Sequence, residues 1–224
     1  MQLIRALSIC LLATAATMAQ TVAAGTVQAT GNASLGVNPD QAQISIGVVT
    51  QGITAQDAAQ QNATLSTTVQ SAIRGVLGTS GTMQTTGYSV YPRYNNATPS
   101  AIIGYTASNT VLVTTYDLSI IGKLIDTANG AGANSVGGVT FGLRNPDPFV
   151  AQALTQASKQ ALVYAAAIAS GLSKTIGAVV SAQEGSTYTP VYSTGVAGGA
   201  AATTPIQTGA VTVTGNVTVV VQMQ

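Results

Sequence analysis

The sequence predicts an α+β fold in which mostly antiparallel sheet carries helices packed on one side. Two periodicities lead to this prediction. Seven segments alternate apolar and polar residues as strands do, and three segments repeat their apolar residues at the helical spacing of three or four. The resulting order, ββαββαβαββ, contains consecutive strands and no regular βαβ repeat, which favours antiparallel pairing.

The seven strands are expected at residues 26–37, 41–49, 82–94, 101–116, 135–143, 175–185 and 208–223. The second is the clearest, because Ala42, Ile44, Ile46 and Val48 fall on one face. Turn residues at 38–40 separate it from the first strand, so the two are expected to form an N-terminal hairpin. The last strand alternates valines with polar residues, which suits a sheet with one face in water.

The three helices are expected at residues 55–77, 118–132 and 148–173. Thr54, with Asp57 three residues later, resembles a capping box at the start of the first helix. Asp117 is a favourable N-cap for the second helix. Asn145 is expected to cap the third helix, and the prolines that follow it suit a first helical turn.

A glycine-rich stretch, GAGANSVGGVTFGL at 130–143, raises the question of a nucleotide-binding loop. Such a loop follows a strand and opens a helix, because the helix N-terminus supplies the N–H groups and the positive dipole that hold phosphate. Here the glycines close a helix and open a strand. Gly130 and Gly132 are therefore interpreted as helix-ending residues with positive φ, and no cofactor is expected.

Residues 1–19 have the features of an export signal. Arg5 precedes an apolar run at 6–16 that is too short to span a bilayer comfortably, and small residues follow it. Cleavage is expected after Ala19, with Ala24 as an alternative, and a retained membrane anchor is the competing interpretation. No later segment has eighteen consecutive apolar residues, so no transmembrane span is expected after cleavage.

Charge is scarce in this chain. Only 6% of its residues are charged, whereas about 25% is usual. Removal of Arg5 with the signal leaves six basic and six acidic residues, and hence no net charge. A neutral chain lacks the basic patch that nucleic-acid binding requires. It also lacks the self-repulsion that keeps protein molecules apart in solution.

The residue types favour a protein that is not an enzyme. Histidine is absent, so no Ser-His-Asp triad can form, and a zinc or copper site would lack its usual ligands once Cys10 is removed with the signal. Four of the six carboxylates are interpreted as turn or helix-start residues, Asp40, Asp57, Asp117 and Asp147. Asp126 can pair with Lys123 on its helix. A glycosidase-like pair of Asp126 with Glu184 has no support from the sequence.

The stretch YSVYPRY at 88–94 is the one segment that resembles a binding surface. Its candidate interface residues are Tyr88, Tyr91, Arg93 and Tyr94, which are residue types enriched at interface hot spots. The competing interpretation is a strand end whose tyrosine rings lie on the sheet. Residues 186–207 are of low complexity and are expected to form a loop, whose Tyr188 and Tyr192 would extend the surface.

Several blocks of the sequence match the pattern of a known family. They include Pro39-Asp40, Gly104-Tyr105 and, most clearly, DLSIIGKLIDTANGAGANSVGGVTFGL at 117–143. Over residues 26–222 the chain resembles the SIMPL-domain family of secreted or periplasmic proteins, which includes periplasmic immunogenic proteins. The resemblance implies an exported α+β domain. It implies no catalytic residue and no cofactor, because none is established for the family.

Two functions are compatible with these expectations. The first is a non-enzymatic cell-envelope protein that self-associates into a homo-oligomer. Its expected location is the periplasm or the medium, and one form of this hypothesis places it at the periphery of the outer membrane. The second is a monomeric periplasmic module that binds an envelope protein partner, or protects against stress, through the tyrosine-rich stretch. An outer-membrane barrel fits poorly, because helical segments interrupt the strands and aromatic girdles are missing.

Overall fold

A computed structural model describes residues 25–95, 101–186, 206 and 208–224 of the chain. The predicted signal and nearly all of the predicted loop at 186–207 lie outside these residues. The described part is an α+β structure with seven strands and three α-helices in the predicted order ββαββαβαββ. The strands form two antiparallel sheets, one of three strands and one of four.

The strands are β1 Thr26–Val37, β2 Gln41–Gly52, β3 Gly81–Tyr94, β4 Ile102–Thr115, β5 Ser135–Gly142, β6 Ile176–Ser186 and β7 Val211–Met223. The helices are α1 Ala55–Leu77, α2 Ile121–Gly130 and α3 Asp147–Gly171, and a 3₁₀ turn over Leu118–Ile120 leads into α2. Each boundary lies within three residues of the predicted one. The period-two and helical patterns in the sequence therefore located the elements correctly.

The four-stranded sheet has the order β3-β4-β2-β5 and carries α1 and α2 on one face. Ile44 and Ile46 of β2 lie almost fully buried in the core that these elements share. The helices contribute their own apolar stripes to this core, Val69, Ile73 and Leu77 from α1 and Ile121, Leu124 and Ile125 from α2. This layer is held together by burial of large aliphatic side chains.

The three-stranded sheet has the order β1-β7-β6, and α3 covers one face of β1 and β7. The helix meets the sheet with five fully buried alanines spaced four residues apart, Ala153, Ala157, Ala161, Ala165 and Ala169. Gly31 of β1 and Gly215 of β7 lie under this stripe, where a Cβ would come within 2.0 Å and 2.8 Å of the helix backbone. Small residues on both sides thus allow close packing of helix on sheet.

The predicted N-terminal hairpin is wrong. β1 pairs with β7 in the three-stranded sheet, whereas β2 lies between β4 and β5 in the other sheet. Side-chain size explains this division. β1 presents the small residues Ala29 and Gly31 to the alanines of α3, while β2 presents Ile44 and Ile46 to the larger side chains of α1 and α2. The turn at 38–40 carries the chain from one sheet to the other.

Two helix ends differ from the prediction. Gly130 is the last residue of α2 and does not have positive φ; Ala131 follows it as the C-cap, and only Gly132 has positive φ, at +107°. The N-cap of α3 is Pro146 rather than Asn145. The side chain of Asn145 nevertheless accepts a hydrogen bond from the backbone N–H two residues further on, at 3.3 Å.

The predicted caps of the first two helices are present. The Thr54 hydroxyl accepts a hydrogen bond from the Asp57 N–H at 3.1 Å and donates one to the Asp57 carboxylate at 2.7 Å. The Asp117 carboxylate accepts hydrogen bonds from the hydroxyl and the backbone N–H of Ser119, at 2.6 and 3.0 Å. Asp117 therefore starts the 3₁₀ turn that precedes α2.

The Asp117 cap is expected to make stability sensitive to acid. The hydroxyl of Ser119, followed by its backbone N–H, lowers the pKa of Asp117 below its usual value of 3.8. A lowered folded-state pKa stabilises the fold above the unfolded-state pKa, and this stabilisation is lost as the pH falls through the folded-state value. We expect Asp117→Asn to lower the melting temperature near neutral pH, by a difference that shrinks in strong acid.

Thermal unfolding of the unmodified chain and of the Asp117→Asn variant, near neutral pH and at about pH 2, measures this difference in melting temperature. In a Ser119→Ala background the difference in melting temperature between the chain with Asp117 and its Asp117→Asn variant should narrow, because the hydroxyl that contributes most to lowering the pKa of Asp117 is gone. If the two melting temperatures differed by the same amount at all pH values, the assigned role of the Asp117 carboxylate would be contradicted.

Candidate interaction surfaces

The tyrosine-rich stretch lies at the turn end of the β3–β4 hairpin. Among the described strands β3 pairs only with β4, so the other side of its backbone is free. The rings of Tyr88, Tyr91 and Tyr94 are each more than half exposed. The structure therefore places the candidate residues at the surface, on an outer strand of the four-stranded sheet.

The candidate interface residues do not share one face of the hairpin. Tyr91 and Arg93 alternate onto the same face, where the Arg93 guanidinium reaches across β4 and donates a hydrogen bond to the side chain of Gln51. Tyr88 lies opposite Asn109 and falls on the other face, which carries α1 further along the sheet. A partner that contacts Tyr91 and Arg93 would therefore not contact Tyr88 from the same side.

A backbone irregularity beside this stretch brings two more apolar residues to the surface. Gly104 has φ of +152°, and a Cβ there would lie 2.8 Å from the Gly52 carbonyl oxygen. The pairing register shifts at this point, so that Tyr94 lies opposite Ile102. Ile102 and its neighbour Ile103 are about half exposed. They enlarge the apolar end of the hairpin, and the sequence analysis did not single them out.

A buried asparagine anchors the helix layer to the hairpin. Asn62 of α1 is fully buried, and its Nδ2 donates hydrogen bonds to the Val48 carbonyl at 2.8 Å and the Ala107 carbonyl at 3.1 Å. Its Oδ1 accepts a hydrogen bond from the Ser66 hydroxyl at 3.2 Å. One side chain thus connects α1 to both central strands, β2 and β4.

A second asparagine extends the pairing between β2 and β5. The Asn134 side chain accepts a hydrogen bond from the Val49 N–H and donates one to the Val49 carbonyl, both at 2.7 Å. Its own N–H donates to the Gly47 carbonyl at 3.2 Å. The amide therefore continues the ladder one step beyond the start of β5, and this role is structural.

Among the described strands, β6 is the most exposed. Among the described strands it pairs only with β7, and α3 barely contacts it. Each side chain from residue 178 to residue 184 is exposed, on both faces of the strand. Val179 and Val180 are 53% and 55% exposed. Apolar strand residues are normally buried against a helix or another sheet. This exposed strand is therefore a second candidate interaction surface, here called the β6 edge (residues 176–184).

The last third of α3 is also apolar at its surface. Its large exposed side chains are Val163, Tyr164 and Ile168, and the exposed C-cap residue Leu172 follows them. The helical pattern at 148–173 did not indicate that these residues would be exposed. The sequence contains an indication of this surface, because apolar residues of this helix extend beyond the single face that carries the buried alanines.

Asp40, Asp57 and Asp117 occupy structural positions. Asp40 accepts a hydrogen bond from the Arg144 N–H at 2.7 Å, and the Arg144 guanidinium lies 4.0 Å from the centre of the Tyr116 ring. Asp126 on α2 and Glu184 on β6 belong to different layers, so the fold gives no reason to pair them. Among the described residues no three Asp, Glu, His or Cys side chains are grouped so that they could hold a metal ion.

Comparison with known proteins identifies the family. The family model named SIMPL, described as a protein of unknown function (DUF541), matches residues 27–221. The chain belongs to the SIMPL family. The resemblance predicted from the sequence is thereby confirmed.

Two curated relatives of this SIMPL chain carry a location in their names. They are the 26 kDa periplasmic immunogenic proteins of Brucella melitensis biotype 1 and Brucella abortus strain S19, each 27% identical over 164 residues. Each alignment covers 70% of this chain and 66% of the relative, slightly less than two thirds of the relative's length. In the described part of the chain, no helix has both the length and the apolar character needed to cross a membrane.

Proposed function

We propose that this SIMPL chain is a non-enzymatic protein of the cell envelope, periplasmic or secreted, that associates with itself into a homo-oligomer. The periplasmic names of its relatives support the compartment. The structural placement of Asp40, Asp57 and Asp117 supports a role without catalysis, since these carboxylates serve turns and helix caps.

The observation that carries the proposal is the β6 edge. In the described part of the chain, β6 is paired on one side and covered on neither face, and a strand so placed gains little from burial. Association with another copy would cover it. Because acidic and basic residues balance almost completely in this chain, little electrostatic repulsion opposes such association.

Self-association is tested by the solution mass of the chain from residue 20 onward, measured by light scattering from low to tens of micromolar concentration. We expect a defined multiple of the chain mass, because closed symmetric assembly is the usual outcome of self-complementary surfaces. A monomer throughout the series would contradict the proposal.

A second candidate function is a monomeric binding module that uses the hairpin end. The exposure of Tyr91 and Tyr94, with Ile102 and Ile103 beside them, favours this alternative. Under it, the double variant Tyr91→Ala with Arg93→Ala should lose its envelope partner in pull-down experiments, because aromatic and arginine anchors carry most interface energy.

The control for this experiment is Gln84→Ala, an exposed position on the same strand but far from the turn. It should retain the partner. If the double variant retained every partner that the unmodified chain binds, the hairpin end would not be a binding site.

A further inference from the structure

The free edge of β6 has the charge pattern of a surface that pairs with its own copy. Lys174 and Glu184 are both exposed and lie five residues before and five residues after Val179. Thr175 exchanges two backbone hydrogen bonds with Gln224, at 3.0 and 2.9 Å, and Lys174 directly precedes it, two residues before β6. A positive charge thus lies two residues before β6 and a negative charge near its end, with Val179 midway between the two.

We propose that two copies of the chain associate by antiparallel pairing of their β6 strands, centred on Val179. This proposal rests on the self-association proposed above and assigns its contact. In antiparallel pairing about a two-fold axis, residue i of one copy faces residue j of the other, and j faces i. Lys174 of each copy then faces Glu184 of the other, which places two opposite-charge pairs at the two ends of the contact.

Among the described residues, the layer around β6 leaves room for this pairing. Val179 and Ala182 lie opposite Val221 and Val219 of β7, so they belong to the face on which α3 sits. Because α3 rests on β1 and β7 and stops short of β6, neither copy's helix lies over the junction. The two three-stranded sheets would join into one of six strands, with both α3 helices on the same face.

The irregular pairing of β6 is compatible with this contact. Its register relative to β7 shifts on both sides of Val179, and Val179 and Val180 are both exposed. Bulges and charges are common devices that prevent edge strands from pairing with arbitrary strands. Lys174 and Glu184 lie at symmetric positions about Val179. Their charges therefore favour pairing with one particular strand, which is β6 of a second copy in antiparallel orientation.

Charge reversal tests the pairing. Lys174→Glu and Glu184→Lys, each made alone in the chain from residue 20 onward, should weaken association at least about tenfold, because two attractive pairs become two repulsive ones. The double variant should associate like the unmodified chain. An equimolar mixture of the two single variants should form a mixed dimer, because each then supplies the charge that the other lacks.

A cysteine at the two-fold axis supplies an independent test. The chain from residue 20 onward contains no cysteine, so Val179→Cys adds the only thiol. Directly opposed residues of antiparallel strands have Cα atoms about 4.5 to 5.5 Å apart, which a disulfide can span. Val179→Cys should therefore form a disulfide-linked dimer under mild oxidation. Val163→Cys, at an exposed valine of α3, should remain a monomer on a non-reducing gel.

The outcomes separate this pairing from the proposed function. A chain that is monomeric at every concentration would overturn both. A chain that self-associates, but whose association ignores both charge reversals and whose Val179→Cys variant does not cross-link, would overturn the β6 pairing alone. Restored association of the charge-swapped mixture, together with the cross-link at position 179 and none at 163, is the expected result.

Discussion

Gly31→Ala is expected to lower the free energy of unfolding by about 4 kcal/mol, or to prevent folding altogether. A Cβ at position 31 would lie 2.0 Å from the Ala157 carbonyl oxygen and 2.5 Å from the Ala161 nitrogen. Both are backbone atoms of α3, so no side-chain rotation relieves the clash. The helix would have to lift off β1, which would expose the alanines and valines buried beneath it.

The matched control is Gly36→Ala on the same strand. A Cβ there would meet only the Ala210 methyl group, at 3.8 Å, which is ordinary van der Waals contact. Urea denaturation of both variants and of the unmodified chain gives their free energies of unfolding. Because both variants replace a glycine by an alanine, any difference between them reflects the position alone. Equal stability of the two variants would show that α3 does not rest on β1 as described.

Asn62→Ala is expected to lower the free energy of unfolding by about 3 kcal/mol, from the loss of three hydrogen bonds and the cavity left behind. The amide joins α1 to the Val48 and Ala107 carbonyls and to the Ser66 hydroxyl, and it is fully buried. Chemical denaturation measures the loss.

Gln61→Ala is the control, since Gln61 is the exposed neighbour of Asn62 on α1 and its change to alanine should be close to neutral. Asn62→Asp sharpens the test, because it keeps the shape but turns the donor into a carboxylate facing two carbonyls. Burial would raise the pKa of that carboxylate, so the variant should lose less stability at mildly acidic pH than at neutral pH. A loss no larger than that of Gln61→Ala would contradict the anchoring role.

Local signals were sufficient to find the elements, because they depend on neighbours in the chain. The alternation from Ala42 to Val48 and the cap at Thr54 both describe the structure correctly. The partition into two sheets was not predictable in this way. Thr30 and Thr218, whose hydroxyls lie 2.9 Å apart across β1 and β7, are separated by 188 residues. Such pairing depends on which helix each strand can pack against.

The candidate surfaces likewise depend on contacts between residues that are distant in the sequence. Exposure of Tyr91 follows from its residue type and strand position, but its separation from Tyr88 depends on how β3 aligns with β4. Val179 and Val180 are apolar strand residues, a type that is usually buried. They are exposed because α3 packs tightly on Gly31 and Gly215 and so lies over β1 and β7 instead of β6. The close packing in one layer therefore determines which strand is left free.

Amide hydrogen exchange along β6 at two protein concentrations tests most directly whether the chain associates through this strand. In the monomer, backbone N–H groups on the free side of β6 are open to water, and pairing with a second copy would protect them. We expect exchange in β6 to slow markedly from low to tens of micromolar concentration, while exchange in β4 stays constant. Exchange in β6 that does not depend on concentration, in samples whose solution mass rises, would contradict the account.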